Sequence, residues 1–244
     1  MPPAPFLSVV VPVRNEEANI LPLVAEIRGA VAPIAAEIVY VDDGSTDDTA
    51  ARLAAAAVQP GTPLIRRRHR RSYGQSAAVL TGVHTARGDW IATLDGDGQN
   101  DPADIPILLA RAQEQEGAGR GPVLVAGHRV TRRDTWAKRA SSRVANRVRA
   151  ALLADATPDT GCGLKVFRRE MFLELPHFDH MHRFLPALVL RAGGRVVSVP
   201  VRHRPRLRGR SNYGVLDRLW AGVFDLAGVY WLKRRWHRPE IEEP

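Results

Sequence analysis

Strand-like and helix-like segments alternate along the first half of the chain, and this alternation constrains the fold more than any other feature. Short β-branched runs are separated by longer segments of helical periodicity. The predicted strands are 8–13, 37–41, 64–65, 90–94 and 123–126. The predicted helices are 20–31, 46–57 (capped by Thr46 or Asp47), 75–86 and 105–115. Short links between alternating elements predict an α/β fold, in which helices cover both faces of a mostly parallel sheet.

The pattern becomes less regular and more basic after residue 130. Its predicted elements are a helix at 136–153, a strand at 195–200, a basic loop at 202–210 and a helix at 215–235. An earlier basic loop, at 66–71, follows the third predicted strand. The last helix has a wide apolar face that ends at Lys233, as in helices that lie at a membrane interface. An ordinary helix packed on the domain or on a second subunit is the alternative. We therefore divide the chain into an α/β domain at 1–214 and an amphipathic helix with a tail at 215–244.

Charge and cysteine content narrow the classes of partner and compartment. The formal net charge of +9 favours anionic partners, although compositional drift in an arginine-rich chain explains it equally well. The single cysteine, Cys162, excludes a disulfide within the chain. We find no secretory signal at the start and no apolar run long enough to span a membrane, so the expected location is the cytoplasm.

Acidic clusters follow the second and fourth predicted strands. Asp42 and Asp43 follow the second strand, and Asp95 and Asp97 follow the fourth. Ligands of parallel sheets gather at the carboxyl ends of the strands. Two carboxylates separated by one glycine can converge on Mg²⁺ or Mn²⁺, with a substrate diphosphate completing the coordination. Solvated polar turns are the alternative for each cluster taken alone.

Four blocks of sequence, taken in order, resemble the inverting GT-A glycosyltransferases of family 2. They are VVVPVRNE (9–16), VYVDDGSTDDT (39–49), ATLDGDGQNDP (92–102) and DTGCGLKVFRRE (159–170). A fifth block, HRPRLRGRSNYG (203–214), is similar to the polyprenyl-phosphate branch, which includes dolichol-phosphate mannose synthase. The resemblance implies a Rossmann-like nucleotide-sugar domain. It also implies a polyprenyl phosphate, such as undecaprenyl or dolichyl phosphate, as the acceptor.

The resemblance also implies roles for single residues. The donor nucleoside is expected to contact Pro12, Arg14, Glu16, Asp42 and Asp43. The metal and the donor diphosphate are expected at Asp95, Asp97 and Gln99. The acceptor phosphate is expected at Arg129, Arg139, Arg143, Arg206, Arg208, Arg210 and Ser211. The catalytic set is then Asp95, Asp97, Arg129, Asp159 and Arg206.

Three positions depart from the family pattern. Arg14 stands where many relatives stack an aromatic ring on the base, and Asn100 stands where a histidine is usual. Gly-Arg-Ser-Asn at 209–212 lacks a lysine expected to touch phosphate, which Arg208 or Arg210 can replace. These departures leave the choice between UDP and GDP, and the sugar, open.

Three hypotheses follow. A lipid phosphate is already an anion and needs no general base, whereas a hydroxyl acceptor does, and Asp159 could then be that base. The first hypothesis is a polyprenyl-phosphate glycosyltransferase, and the second is a family 2 enzyme with a hydroxyl acceptor. The third is a basic binding module without catalysis, although no nucleic-acid-binding motif is found. The first implies an anionic membrane surface as a partner and a position on the inner face of the cytoplasmic membrane. A second copy or an integral membrane partner stays open.

Overall fold

The computed structural model describes residues 4–119, 121–129, 149, 152–155, 157–206 and 215–235. Its strands are β1 (Leu7–Val13), β2 (Ala36–Asp42), β3 (Leu64–Arg68), β4 (Trp90–Thr93), β5 (Val123–Arg129), β6 (Lys165–Arg168) and β7 (Arg195–Val201). Its α-helices are α1 (Glu17–Val31), α2 (Thr49–Ala57), α3 (Gln75–Thr85), α4 (Ile105–Gly117), α5 (Arg169–Glu174), α6 (Leu185–Arg191) and α7 (Val215–Arg234). Short 3₁₀ turns lie at Pro102–Asp104 and Met181–Arg183.

The described strands form one sheet in the order β3-β2-β1-β4-β6-β5-β7. The pairs β3·β2, β2·β1, β1·β4 and β5·β7 are parallel, and β6 runs antiparallel to both of its neighbours. Six strands therefore end at one edge of the sheet, where β6 begins. This topology confirms the mostly parallel α/β sheet and brings the ends of β5 and β7 to the edge that carries the acidic clusters.

Apolar side chains of β1 alternate between two buried layers, as the two-residue period of a strand requires. Val9 and Val11 belong to the layer under α1 and α4, whereas Val10 belongs to the layer under α3. All seven residues of β1 are buried. A strand covered on both faces by helices is the usual centre of a parallel sheet.

Some predicted boundaries were wrong. Strand β3 continues through Arg68, so half of the expected basic loop at 66–71 is edge strand, because its exposed arginines do not interrupt backbone pairing with β2. Helix α2 begins at Thr49 rather than at 46, since the preceding residues form a turn with the end of β1. Asp48 stands at the cap position without a side-chain bond, although Asp47 Oδ1 accepts the Thr49 N–H at 3.0 Å. The antiparallel strand β6 and helices α5 and α6 were not predicted.

Among the side chains of helix α7 that the structure describes, those of one face pack on the body of the protein. Val229 is buried in a small cluster with Phe184 and Ala187, and the Arg191 guanidinium donates to the Leu232 carbonyl at 3.1 Å. Phe224, at 71% exposure, lies outside this contact. The apolar face predicted for this helix is thus divided between packing and solvent. No helix among the described residues is long and apolar enough to cross a membrane.

Candidate active site

The carboxyl edge of the sheet gathers most of the described residues singled out from the sequence. The turns after β1 and β2 are joined here by direct hydrogen bonds. Asn15 has a left-handed backbone (φ 54°), its N–H donates to Ser45 Oγ at 2.9 Å, and its Oδ1 accepts the Thr46 N–H at 2.8 Å. The Glu16 N–H donates to Thr49 Oγ1 at 2.9 Å. These bonds fix the turn that carries Arg14, which is exposed, and Glu16, which is buried.

Asp42 lies at the end of β2, and its two carboxylate oxygens have different environments. Its Oδ1 accepts the Ser45 N–H at 2.8 Å. Its Oδ2 is buried and accepts no hydrogen bond from the described residues, although Arg68 Nε lies 3.2 Å away as an ion pair. A cavity of about 450 Å³ beside it is lined by Leu53 and by the arginines of β3. The contact of Asp42 with a donor nucleoside stays a prediction.

Both carboxylate oxygens of Asp43 are hydrogen-bonded to the loop 69–74 between β3 and α3. Its Oδ1 accepts the Tyr73 N–H at 2.8 Å and lies 2.7 Å from His69 Nδ1. Its Oδ2 accepts from Ser72 Oγ at 2.7 Å and from the Gly74 N–H at 2.9 Å. Burial raises the pKa of this carboxyl, but the hydrogen bonds outweigh burial and hold the pKa below its ordinary value. Although Asp43 was expected at the nucleoside, its bonds are directed into this loop.

Asp95 follows β4 and is partly buried. Its carboxylate accepts few hydrogen bonds from the described residues. Its Oδ1 accepts from Gln75 Nε2 at 2.7 Å. Burial and the neighbouring charge of Asp97 raise the pKa of Asp95 to about 6, in spite of the opposing charge of Lys165. A Cβ atom added at Gly163 would overlap the Asp95 carboxylate, so glycine is required there. Asp95 is therefore a carboxylate whose charge is only partly compensated within the protein.

Asp97 and Glu16 share one arginine from the far end of the chain. The Arg206 guanidinium donates to Glu16 Oε1 and lies 3.5 Å from Asp97 Oδ2. Burial raises the pKa of Glu16, whereas the Asn19 amide, at 2.6 Å, and Arg206 oppose that rise. Asp97 Oδ1 accepts the Gln99 N–H at 3.0 Å, which closes the turn after Asp95. The segment 92–102, which carries Asp97, thus contacts the segment that begins at 203 and carries Arg206.

Backbone bonds reinforce that junction. The Arg204 N–H donates to the Gln99 carbonyl at 2.8 Å, and Asn100 forms a β-bridge with His203. The Gln99 side-chain nitrogen lies 3.4 Å from the Arg204 carbonyl. Asp101 pairs with Arg204 at 2.9 Å. The segment that carries Arg206 is therefore anchored beside the Asp95 loop.

The donor set at this edge fits a hard divalent cation only together with a substrate. Among the described residues, no three His, Cys, Asp or Glu side chains form a metal-binding group. Asp95 and Asp97 can supply carboxylate oxygens, and Gln99 an amide oxygen. Mg²⁺ and Mn²⁺ prefer such ligands and commonly take the remainder from phosphates and water.

Arg129 and Asp159, predicted to act on the acceptor, are bound to each other. Arg129 Nε and Nη2 donate to the two oxygens of Asp159 at 2.6 and 2.7 Å. Burial lowers the pKa of Arg129, but its bonds to Asp159 outweigh burial and raise it. A carboxylate held by a two-bond arginine pair is poorly suited to accept a proton as a general base.

Pro12 lies at this edge, whereas other predicted residues cannot be placed. Pro12 is buried near the end of β1 and, with Asp95, Gln75 and Lys165, lines a small cavity of about 20 Å³. The predicted phosphate ligands Arg139, Arg143, Arg208, Arg210 and Ser211 lie outside the described residues. Gln75 and Lys165 were missed as members of the site. Gln75 begins α3 and Lys165 begins β6, and both elements start at the acidic edge of the sheet. A correct prediction of the strand order would therefore have placed both residues beside Asp95.

Comparisons with known proteins identify the family to which this chain is similar. The model of glycosyl transferase family 2 matches residues 8–175. The undecaprenyl-phosphate 4-deoxy-4-formamido-L-arabinose transferase of Enterobacter sp. (strain 638) is 35% identical over 222 residues, which cover 90% of this chain and 66% of that protein. The dodecaprenyl-phosphate galacturonate synthase of Rhizobium johnstonii is 35% identical over 238 residues, or 96% of this chain and 69% of that one. The chain thus spans about two thirds of the length of these relatives.

Solved structures confirm the fold. Glucosyl-3-phosphoglycerate synthase from Mycobacterium tuberculosis, in complex with Mn²⁺, UDP-glucose and phosphoglyceric acid, superposes with a TM-score of 0.65 and 22% identity. The match covers 94% of this chain and 79% of that one. A second complex of the same enzyme, with Mn²⁺, UDP and glucosyl-3-phosphoglycerate, gives 0.65 and 23%. The likeness establishes the predicted GT-A architecture.

Proposed function

The chain belongs to glycosyl transferase family 2, and from this premise we propose that it transfers a sugar, with inversion, from a UDP- or GDP-linked donor to a polyprenyl phosphate. The observation that carries the proposal is the meeting of Asp95, Asp97 and Arg206 at one edge of the sheet. This meeting supports the proposal, because two carboxylates, which would hold the cation of a metal-bound diphosphate, lie beside a guanidinium, which suits phosphate. Two relatives that are 35% identical are named for polyprenyl-phosphate acceptors.

The donor side of the reaction is assigned to the ends of β2 and β4. Asp42 offers a buried oxygen to the nucleoside, and Asp95 and Asp97, with Gln99, would hold Mg²⁺ or Mn²⁺. The cation would supply Lewis-acid stabilisation of the charge that develops on the leaving diphosphate. Because the protein leaves the charges of Asp95 and Asp97 only partly compensated, binding of a cation there relieves their repulsion.

The acceptor side is assigned to Arg206 and the segment that anchors it. A lipid phosphate is an anion at neutral pH and needs orientation rather than deprotonation. Arg206 can bind a phosphate oxygen without protonating it, because arginine keeps its proton at neutral pH. The oxygen therefore stays an anion that can attack the sugar. The pairing of Arg129 with Asp159 supports this acceptor, because it occupies the carboxylate that a hydroxyl acceptor would need as a base. The pair then serves to position the acceptor side of the site.

Helix α7 is proposed to bring the site to an anionic membrane surface on the cytoplasmic side. Phe224 and Trp231, which are seven residues apart on one face of the helix, are 71% and 60% exposed. Arg234 follows one turn later. Exposed aromatic residues followed by cations are typical of helices that lie in the headgroup region. A lipid acceptor keeps its tail in the bilayer, so docking of this kind would be required.

A transfer assay tests the proposal. The purified chain would be incubated with Mn²⁺, a panel of UDP- and GDP-sugars, and undecaprenyl phosphate in detergent. We expect a sugar-phosphate lipid that disappears with EDTA and falls about 100-fold with Arg206→Ala, as for loss of one charged contact in a transition state. Arg111→Ala, which removes an exposed arginine paired only within α4, is the matched control. Metal-dependent donor hydrolysis without lipid product would reject the acceptor and favour a hydroxyl substrate.

A further inference from the structure

The loop 69–74 connects the two acidic clusters, a role that the sequence motifs do not assign to it. It leaves the end of β3, passes over Asp43 and enters α3. His69 also contacts α3, since its Nε2 lies 2.9 Å from Thr81 Oγ1, and its backbone N–H donates to the Asp42 carbonyl at 2.9 Å. The first residue of the loop is thus fastened both to β2 and to α3.

The exit of this loop determines where Gln75 points. The Gly74 N–H donates to Asp43 Oδ2, and its φ of +92° is a backbone conformation that favours glycine. Gln75, the next residue, is the first of α3, and its side-chain N–H donates to Asp95 Oδ1 at 2.7 Å. A displacement of the loop would therefore move the amide that holds Asp95.

Gln75 is the main orienting contact of Asp95. Among the described residues it makes the only hydrogen bond to that carboxylate. Lys165, which is buried nearby, donates to the Cys162 carbonyl. Gly163 only limits the space on one side. The orientation of the Asp95 oxygens depends on the Gln75 amide.

We propose that Gln75 is a positioning residue that fixes Asp95 for cation binding, and that Asp43 acts on the same carboxylate at a distance, by holding the loop 69–74. The inference rests on the proposed metal-dependent transfer and adds two residues to its machinery. Partners that orient a metal ligand typically contribute 10- to 100-fold to metal affinity. Asp43 thereby acquires a role that does not require contact with the nucleotide.

Binding of Mn²⁺ in the presence of UDP, followed by electron paramagnetic resonance, tests the first half. Gln75→Met keeps the length of the side chain and a good helix former but removes the donor. We expect the dissociation constant for Mn²⁺ to rise about 10- to 100-fold. Turnover should recover to within a few fold at saturating Mn²⁺, which a folding defect would not allow. Ser76→Ala is the matched control, since it removes the contact to His182 at the same helix start without touching Asp95.

A double-mutant cycle tests the second half. If Asp43 acts through the loop and Gln75, Asp43→Asn should weaken Mn²⁺ binding, and Asp43→Asn with Gln75→Met should be no weaker than Gln75→Met alone. Independent, multiplying effects would overturn the relay, and unchanged Mn²⁺ affinity in Gln75→Met would overturn the positioning role. Because the binding measurement needs no acceptor, a wild-type chain that binds Mn²⁺ without lipid transfer would reject the proposed function only. A wild-type chain that does not bind Mn²⁺ would overturn this inference.

Discussion

The ends of β2 and β4 carry aspartates in similar sequence settings, yet the two environments are opposite. Asp43 receives four short contacts from one loop, and its pKa is lowered. Asp95 receives one hydrogen bond from the described residues, and its pKa is raised to about 6. A carboxylate whose lone pairs are filled by the protein stabilises structure. One that is left short of donors costs stability and is available to a cation.

Removing the charge of Asp95 should have the largest effect. We expect Asp95→Asn to reduce transfer roughly a thousandfold, because a neutral amide is a poor ligand for a hard cation. The metal-free protein should be no less stable, since a poorly compensated charge has been removed. Asp89→Asn, an exposed carboxylate before the same strand, should leave transfer unchanged. Full activity of Asp95→Asn in the transfer assay would contradict the assignment.

At the end of β2, by contrast, removing the charge of Asp43 should lower the stability of the folded protein. Asp43→Asn places an amide N–H₂ against N–H and O–H donors, so at least one of the four contacts is lost. We expect about 2 kcal/mol of lost unfolding free energy and a Tm lowered by about 4–8 °C. Calorimetry can measure both. Asp48→Asn, which changes an exposed residue nearby, should shift Tm by less than about 1 °C, within the small range usual for surface substitutions. A variant as stable as the wild type would mean that the loop does not depend on Asp43.

Asp95 and Asp43 should also contribute to the unfolding free energy with opposite dependence on pH. The folded protein binds the Asp95 proton more tightly than the unfolded chain, so this group lowers stability as pH rises from about 4 to about 6. Asp95→Asn lacks that loss, so its unfolding free energy should gain about 3 kcal/mol relative to the wild type over the full titration of this group. Asp43 has a lowered pKa, so its contribution is complete above about pH 4 and is lost on further acidification. Urea unfolding in EDTA at several pH values tests this, and parallel curves for the two variants would contradict it.

The smallest expected effect lies far from both aspartates. Replacement of Phe224 and Trp231 by serine should weaken binding to anionic vesicles about tenfold, as expected for partial burial of two aromatic side chains. Mn²⁺ binding at the β4 end should not change. Val58→Ser, at an 85% exposed apolar residue directly after α2, is the control. Sedimentation with vesicles measures the effect, and unchanged binding of the double variant would remove α7 from the membrane contact.

The sequence predicted the sheet through β5 because strands such as β1 are continuous apolar runs. It did not predict β6, since Lys165 and Arg168 flank only two apolar residues and pairing with β4 and β5 determines the strand. The motifs placed Asp95 and Asp97 correctly at the carboxyl edge. They did not distinguish the environment of Asp43 from that of Asp95, because hydrogen-bond donors reach Asp43 from residues about 30 positions away.

Diffraction from crystals grown with Mn²⁺ and UDP, measured at the manganese absorption edge, tests the central claim most directly. We predict an anomalous peak between the diphosphate and the carboxylates of Asp95 and Asp97, with the contacts of Asp43 to the loop 69–74 unchanged. A peak coordinated by Asp43, or one remote from the end of β4, would contradict the account.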